Sequence, residues 1–468
     1  MDLLVEVPPN CLNERRYAVE TLLSDFLGIS ADVVTGPPGR TTISADHGGR
    51  VVVPDAFFAE VRECTGGQVR MPGSPLARFR PAECGLDVRL VEPELPVLYG
   101  AVCSDGWYSA VDGESVTLGV DVFGSAFVLL SRLEEALCDQ RDAHGRFPAT
   151  ASLAVRHAFL HRPLVNEYAE LLWACMRRAW PSMRRRRREH RVIPTHDVDA
   201  AFAFHGSGSG SLFRHLGADV LRRRDPVEAC RNVVRWLKVA RGRVEADPYN
   251  CFDELMTLSE RHGLRSRFYM IAGDSAGALD ANYGIGDPCI RALMRRIHSR
   301  GHELGLHGSY ASAADPERLR AEADRLRGVC REEGIVQPRW GGRQHFLRWE
   351  PRRGASAWRA AGLEYDSSLG YTDDPGFRCG TCYQYPLFDL AERRRSGVSE
   401  LPLVLMERAV APFPAALSER ELESAVTRVR TLRERCRLFD GDFVFLLHNS
   451  KYKAARHRRL YESMLGAA

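Results

Sequence analysis

Lysine is almost missing from this 468-residue chain: Lys238, Lys451 and Lys453 are the only three among 65 basic residues. Arginine supplies the remainder, and 61 acidic residues bring the formal net charge to +4. Such a balance gives no whole-molecule field for nucleic acid or an anionic membrane, so neither is expected as a partner. The arginine preference reads as a GC-rich genome rather than chemistry. Any run of eighteen apolar residues is also missing, and with it an integral membrane segment. The first residues carry Asp2 and Glu6 where an export signal needs basic and then apolar residues, so a soluble, cytoplasmic protein is expected. Paired CxxC motifs at zinc-finger spacing are absent too, and the 13 scattered cysteines read as reduced cytosolic thiols. The one close pair, Cys379-Gly-Thr-Cys382, lacks the strand-to-helix setting of a redox motif. What is present, 44% apolar and 27% charged residues, is ordinary globular composition and excludes disorder, collagen and a coiled coil.

The sharpest change along the chain is Arg184 to Arg188, five consecutive arginines that read as a solvated helix end or linker rather than a nucleic-acid patch. A domain boundary is placed there, dividing an N-terminal α/β domain (1–189) from a second domain (190–468). Upstream, helical spacing spans Tyr17 to Phe26, Phe123 to Leu137 and about Leu164 to Trp180, with short strands at Thr41 to Ser44 and Val51 to Val53. This half shows no chemistry of its own. Downstream, strands near Arg191–Pro194, Ser266–Ile271, Glu303–Leu306, Pro338–Gly341, Leu401–Leu403 and Phe443–Leu447 alternate with amphipathic helices, as a parallel sheet or barrel requires. The stretch Gly206-Ser-Gly-Ser-Gly-Ser211 reads as a flexible loop.

Several of these strands end in polar residues, and ligands bind at the carboxyl ends of parallel strands. Val192-Ile193-Pro194 runs into Thr195-His196-Asp197-Val198-Asp199. Two carboxylates so spaced can divide labour, one on a metal and one as general base, or they can simply cap a turn. Leu304 and Leu306 end a strand at His307, whereas His302 sits roughly 16 Å away at its other end and reads as structural. Trp340-Gly-Gly-Arg343-Gln344-His345 and Phe445-Leu446-Leu447-His448 end two more. A lone histidine in such a place is usually a satisfied core residue; three at three strand ends point to a site.

As an ordered set these motifs resemble the polysaccharide deacetylases, the superfamily of chitin, peptidoglycan and nodulation-factor deacetylases. They are more closely similar to a subgroup with a Thr-His-Asp-Val-Asp first motif behind an N-terminal domain of unassigned function. Further matches are Asp247-Pro-Tyr-Asn250, Gly305-Leu-His-Gly-Ser-Tyr310, Arg343-Gln-His-Phe346, Tyr365-Asp-Ser-Ser-Leu-Gly-Tyr371 and Gly376-Phe-Arg-Cys-Gly-Thr-Cys382. Phe147-Pro-Ala-Thr150 and Pro163-Leu-Val-Asn-Glu167 match the end of the N-terminal domain. The resemblance implies a distorted (β/α) barrel with fewer than eight strands that binds one divalent metal, usually zinc. It implies Asp197 as general base, Arg343 as the arginine that orients it, Asp199 and His307 as metal ligands, and His448 as the proton donor to the leaving amine. The implied reaction removes an N-acyl group, most simply acetyl, from an amino sugar of a glycan or glycoconjugate precursor.

Where the family has a second metal-binding histidine, four residues after His307, this chain has Ala311. His345 is the candidate replacement ligand or else a substrate contact. Tyr371 and Arg378, in a polar stretch, are candidate substrate-binding residues. Trp340, Trp349 and Trp358 read as packing, Asp366 as a turn former, and Asp247 and Asn250 as initiating the following helix. Alternatives are hydrolysis of another non-peptide C–N bond or an O-acyl ester on the same scaffold, and a degenerate barrel that only binds glycans or partner proteins.

Overall fold

The computed structural model describes residues 3–466 apart from 47, 62–68, 103–105, 112–114, 207, 224, 274–278, 412–417 and 453–454. The first sheet is built from β1 (Leu3–Val7), β2 (Ala31–Thr35), β3 (Arg40–Ala45), β4 (Arg50–Pro54), β7 (Tyr108–Val111) and β8 (Ser115–Leu118), in the order β2-β1-β3-β4-β8-β7. A separate ribbon pairs β5 (Ala77–Phe79) with β6 (Leu95–Val97). Alternation sets the buried face, with Val51 and Val53 fully buried in β4. Helices Leu12–Glu20 and Leu164–Ala179 pack on these strands and on each other's neighbours. The segment expected as one helix from Phe123 to Leu137 is two, Val122–Leu130 and Leu133–Leu137, because Arg132 adopts a left-handed φ of 56° to pair with Glu134 and Glu135.

The second sheet has nine strands: β9 (Arg191–Val198), β10 (Arg267–Met270), β11 (Glu303–Gly308), β12 (Gly341–Gln344), β13 (Tyr365–Asp366), β14 (Tyr385–Asp389), β15 (Arg394–Glu400), β16 (Leu405–Met406) and β17 (Asp442–Leu446). Their order is β14-β15-β13-β12-β11-β10-β9-β17-β16, parallel throughout except for the β14–β15 hairpin. The class is α/β, but the expected count of fewer than eight strands is exceeded. The excess comes from that hairpin, whose outer strand faces residues of the N-terminal half: Tyr17 donates to the Pro386 carbonyl at 2.8 Å and Tyr385 to that of Leu130 at 3.0 Å. Apolar residues of both halves form one continuous core.

Three local expectations are corrected. Leu401–Leu403 is not a strand, since Pro402 has no N–H to give a ladder, and the pairing resumes at β16. The strand expected at Pro338–Gly341 begins at Gly341. The Gly-Ser stretch is not wholly loop: a helix runs from Gly208 to Gly217, pinned by Ser211 donating to the Ala203 carbonyl and by buried Leu212, while Ser207 lies outside the described residues. Among the cysteines, ten described thiols are free, but Cys11 is disulfide-bonded, against the expectation of uniformly reduced thiols. Cys379 and Cys382 are free and buried, and burial pushes the Cys379 thiol up to about 11, the reverse of a reactive thiolate. No helix among the described residues is long and apolar enough to cross a membrane.

Candidate metal centre

Strand register brings the polar strand ends together. Asp197 lies beside Tyr269, and His307 beside Arg343, at the carboxyl ends of adjacent parallel strands. The glycines before Arg343 make this possible. A Cβ on Gly342 would stand 1.8 Å from the Leu306 carbonyl oxygen, and one on Gly341 2.2 Å from the Tyr365 ring, so neither position accepts a side chain.

Arg343 is fully buried and uses every nitrogen. Its Nη1 donates to Asp197 Oδ1 at 2.8 Å and Thr195 Oγ1 at 2.9 Å, while Nε and Nη2 donate to the carbonyl and hydroxyl of Ser367. Burial opposes its charge, yet Asp197 outweighs that and raises the guanidinium above its ordinary value. Asp197 is thereby fixed in orientation, with Oδ2 left facing His307 Nε2 at 3.7 Å.

His307 Nδ1 lies 2.9 Å from the Arg343 carbonyl oxygen. A carbonyl only accepts, so Nδ1 carries a proton and Nε2 is the nitrogen left to face the cluster. His307 Nε2 stands 3.2 Å from Asp199 Oδ1, and His345 Nε2 lies 3.5 Å from the same oxygen. Neither His307 Nε2 nor Asp199 Oδ1 has a hydrogen-bond partner among the described residues. Buried polar atoms left without hydrogen bonds are unfavourable unless a cation lies between them. Tetrahedral coordination with bonds of 2.0–2.1 Å places donor atoms about 3.3 Å apart, which these separations fit. One ligand atom each from Asp199, His307 and His345 falls within 4.8 Å of the others, so the residues fit a divalent metal. Burial would raise the Asp199 carboxyl, but His448, His307 and His345 reverse this and hold it well below the usual range.

His448 Nε2 stands 3.4 Å from the other Asp199 oxygen, and its Nδ1 is 2.6 Å from Glu407. Burial disfavours its charge, but Glu407 and Asp199 outweigh burial and raise it to about 9, so the ring is protonated at neutral pH. His345 behaves alike without a cation: burial opposes the charge, Asp199 and Asp280 outweigh it, and it rises to about 9. Asp280 also accepts the Tyr310 N–H at 2.7 Å. Asp197, Asp199, His307, His345 and His448 line one cavity of about 290 Å³, with Arg146, Phe346, Glu407 and Arg408 on its walls.

The remaining residues singled out from sequence fall elsewhere. His302 accepts the Ser266 N–H and faces Glu260 at the far end of β11. Arg378 is 3% exposed, doubly bonded to Glu135, and its Nη1 donates to the Gly370 carbonyl. It ties the two halves of the chain, and with Tyr371 it also lines a cavity of about 210 Å³ beside Asp142 and Arg146. Tyr371 lies 4.9 Å beneath that guanidinium, with its hydroxyl covered and without a hydrogen-bond partner among the described residues. Ser309, beside Ala311, is committed to Glu322 through both N–H and hydroxyl. Asp247 binds the N–H groups of Ala203, Phe204 and Tyr249, holding a loop rather than starting a helix. Asp366 bonds to Ser368, forming a turn, and Trp349 and Trp358 are buried. Glu407 and Asp280 were missed. Glu407 directly follows the strand Leu405–Met406, so the strand-end rule applied there would have found it; Asp280 sits on a loop with no sequence signal.

Residues 3–181 match the model of a family of unknown function, DUF7033. No curated protein matches this chain. Among solved structures, the chain is similar to a "putative polysaccharide deacetylase from Mycobacterium smegmatis", at 18% identity and a TM-score of 0.36, covering 60% of this chain and 85% of that one.

Proposed function

We propose that the protein is a metal-dependent hydrolase that removes an N-acyl group, acetyl in the simplest case, from an amino sugar of a glycan or glycoconjugate precursor. The observation that carries this reading is the Asp199–His307–His345 cluster, flanked by an arginine-held carboxylate on one side and a histidine paired with Glu407 on the other. The amino-sugar substrate rests on the ordered motifs from Thr195 to His448. Asp199, His307 and His345 would hold the metal, zinc by the N₂O donor set, which when bound polarises the acyl carbonyl and activates water as a Lewis acid. Asp197 Oδ2, free of the arginine, accepts the water's proton. Arg343 keeps that carboxylate aimed. His448 Nε2 carries the proton that the leaving nitrogen needs, and Glu407 on Nδ1 keeps the ring oriented and charged. Two further points belong to this reading: residues 190–468 act as the catalytic domain, in a barrel-like curl of the second sheet, and the setting is cytoplasmic. Ten free thiols support that setting, and the Cys11 disulfide stands against it.

The test is metal content per purified chain, followed by acetate release from N-acetylated amino-sugar oligomers beside their O-acetylated counterparts. One metal per chain and release from the N-acetylated series are expected. Release from the O-acetylated series alone would move the reading to an esterase, and a chain that takes up no metal would end it.

A further inference from the structure

The loop that carries His345 is held by the other domain. After β12 the chain turns through His345–Leu347, and two successive residues, Phe346 (φ 59°) and Leu347 (φ 55°), adopt the left-handed region. Non-glycine residues in that region are strained and persist only when their surroundings impose them. The turn's own backbone supplies little, an Arg348 N–H to His345 carbonyl contact of 3.3 Å. Leu347 is buried in the core of the second sheet, and residues 142–146 of the N-terminal half hold Phe346 between it and His345. Arg146 Nη1 donates to the Phe346 carbonyl at 3.0 Å, and the His144 ring packs on the Phe346 ring at 4.5 Å. Arg146 is itself fixed: its Nε donates to Asp142 Oδ2 at 2.7 Å, and Asp142 Oδ1 accepts the N–H groups of His144 and Arg146 at 2.9 Å each. A second clasp lies opposite, where Tyr310 meets Phe346 at 5.3 Å and His144 Nδ1 at 3.4 Å.

We propose that the N-terminal domain completes the metal centre: Arg146 and His144 are positioning residues that impose the strained turn and thereby hold His345 in ligating position. The proposal rests on the metal reading above. It gives a role to the region matching a family of unknown function, which contains Arg146 and His144 but none of the ligands. Partners that orient a metal ligand typically contribute ten- to a hundredfold to metal affinity.

The experiment titrates metal-free full-length protein with Zn²⁺ against a chromophoric chelator, comparing wild type with Arg146→Ala, Arg146→Lys and His307→Ala, and follows hydrogen exchange across residues 341–349. Arg146→Ala should bind Zn²⁺ roughly tenfold more weakly, exchange faster in that segment and leave other segments unchanged. Arg146→Lys, able to donate to the Phe346 carbonyl but not to hold Asp142 as well, should recover part of the loss. Wild-type affinity and exchange in Arg146→Ala would overturn the brace while leaving the metal reading intact. Undiminished affinity in His307→Ala, or no Zn²⁺ bound by wild type, would overturn the metal reading and the brace with it. Should Arg146→Ala fail to fold, His144→Ala is read with the same expectations.

Discussion

At the scale of single residues, the two aspartates of Thr195-His-Asp-Val-Asp199 have different surroundings and so different expected phenotypes. Asp197 is tied to Arg343 and has a free oxygen; Asp199 is ringed by three histidines. Asp197→Asn should keep its metal and lose roughly 100-fold or more in kcat, the contribution of a positioned general base. Asp199→Ala should lose the metal itself. His345→Ala should weaken metal binding as severely as His307→Ala, because both rings approach the same Asp199 oxygen. Metal titration beside single-turnover kinetics separates these outcomes; normal metal affinity in His345→Ala would return that residue to a substrate role. These residues were legible because an apolar strand followed by a polar residue marks the functional rim of a parallel sheet. Arg378 shows how little polar composition says of exposure, since it and Glu135, from distant segments, neutralise each other in the core.

At the scale of the element, β9 shows how one strand serves two faces. Thr195 and Asp197 point toward Arg343, and His196, between them, points the other way. There it stacks on Phe268 at 4.7 Å, with Nδ1 donating to the Leu447 carbonyl at 2.8 Å and Nε2 3.2 Å from the Tyr461 hydroxyl. Burial lowers its pKa to about 4 from the ordinary 6.5. A depressed folded-state value means that the neutral ring's stabilisation is complete above about pH 6.5 and is lost as pH falls toward 4. The loss should approach about 3 kcal/mol. Urea unfolding measured from pH 7.5 to 4 should show this slope, and His196→Phe, which cannot titrate, should flatten it; an unchanged slope would assign the acid lability elsewhere. The alternation that placed His196 inward is visible in sequence. What decided the Gly208–Gly217 helix and the missing strand at Leu401–Leu403 was instead contact with distant segments and a proline's lost donor, which local pattern does not carry.

At the scale of the whole molecule, the halves on either side of the arginine run share one core, and the charges buried between them are paired without remainder. Arg132 contacts Glu134 and Glu135, and Glu135 also takes both Nε and Nη2 of Arg378. Two positive and two negative side chains, each no more than 4% exposed, thus cancel across the interface. Burial would raise the Glu135 carboxyl, but Arg378 and Arg132 reverse this and lower it. Removing one member of a buried pair costs about 3–5 kcal/mol, mostly through the charge left behind. The members are not equivalent. Arg378→Ala leaves Glu135 with Arg132 as partner, so its cost belongs at the low end of that range. Glu135→Ala leaves Arg378 with no carboxylate, only the Gly370 carbonyl, and removes one of two carboxylates from Arg132, so it should cost more. Urea unfolding of the two variants orders them directly. Because neither Glu135 nor Arg378 bonds to Arg146 or to the Phe346 carbonyl, neither change should alter Zn²⁺ affinity in the folded protein. Equal destabilisation by both variants would mean that the quartet acts as two independent pairs rather than one network centred on Glu135.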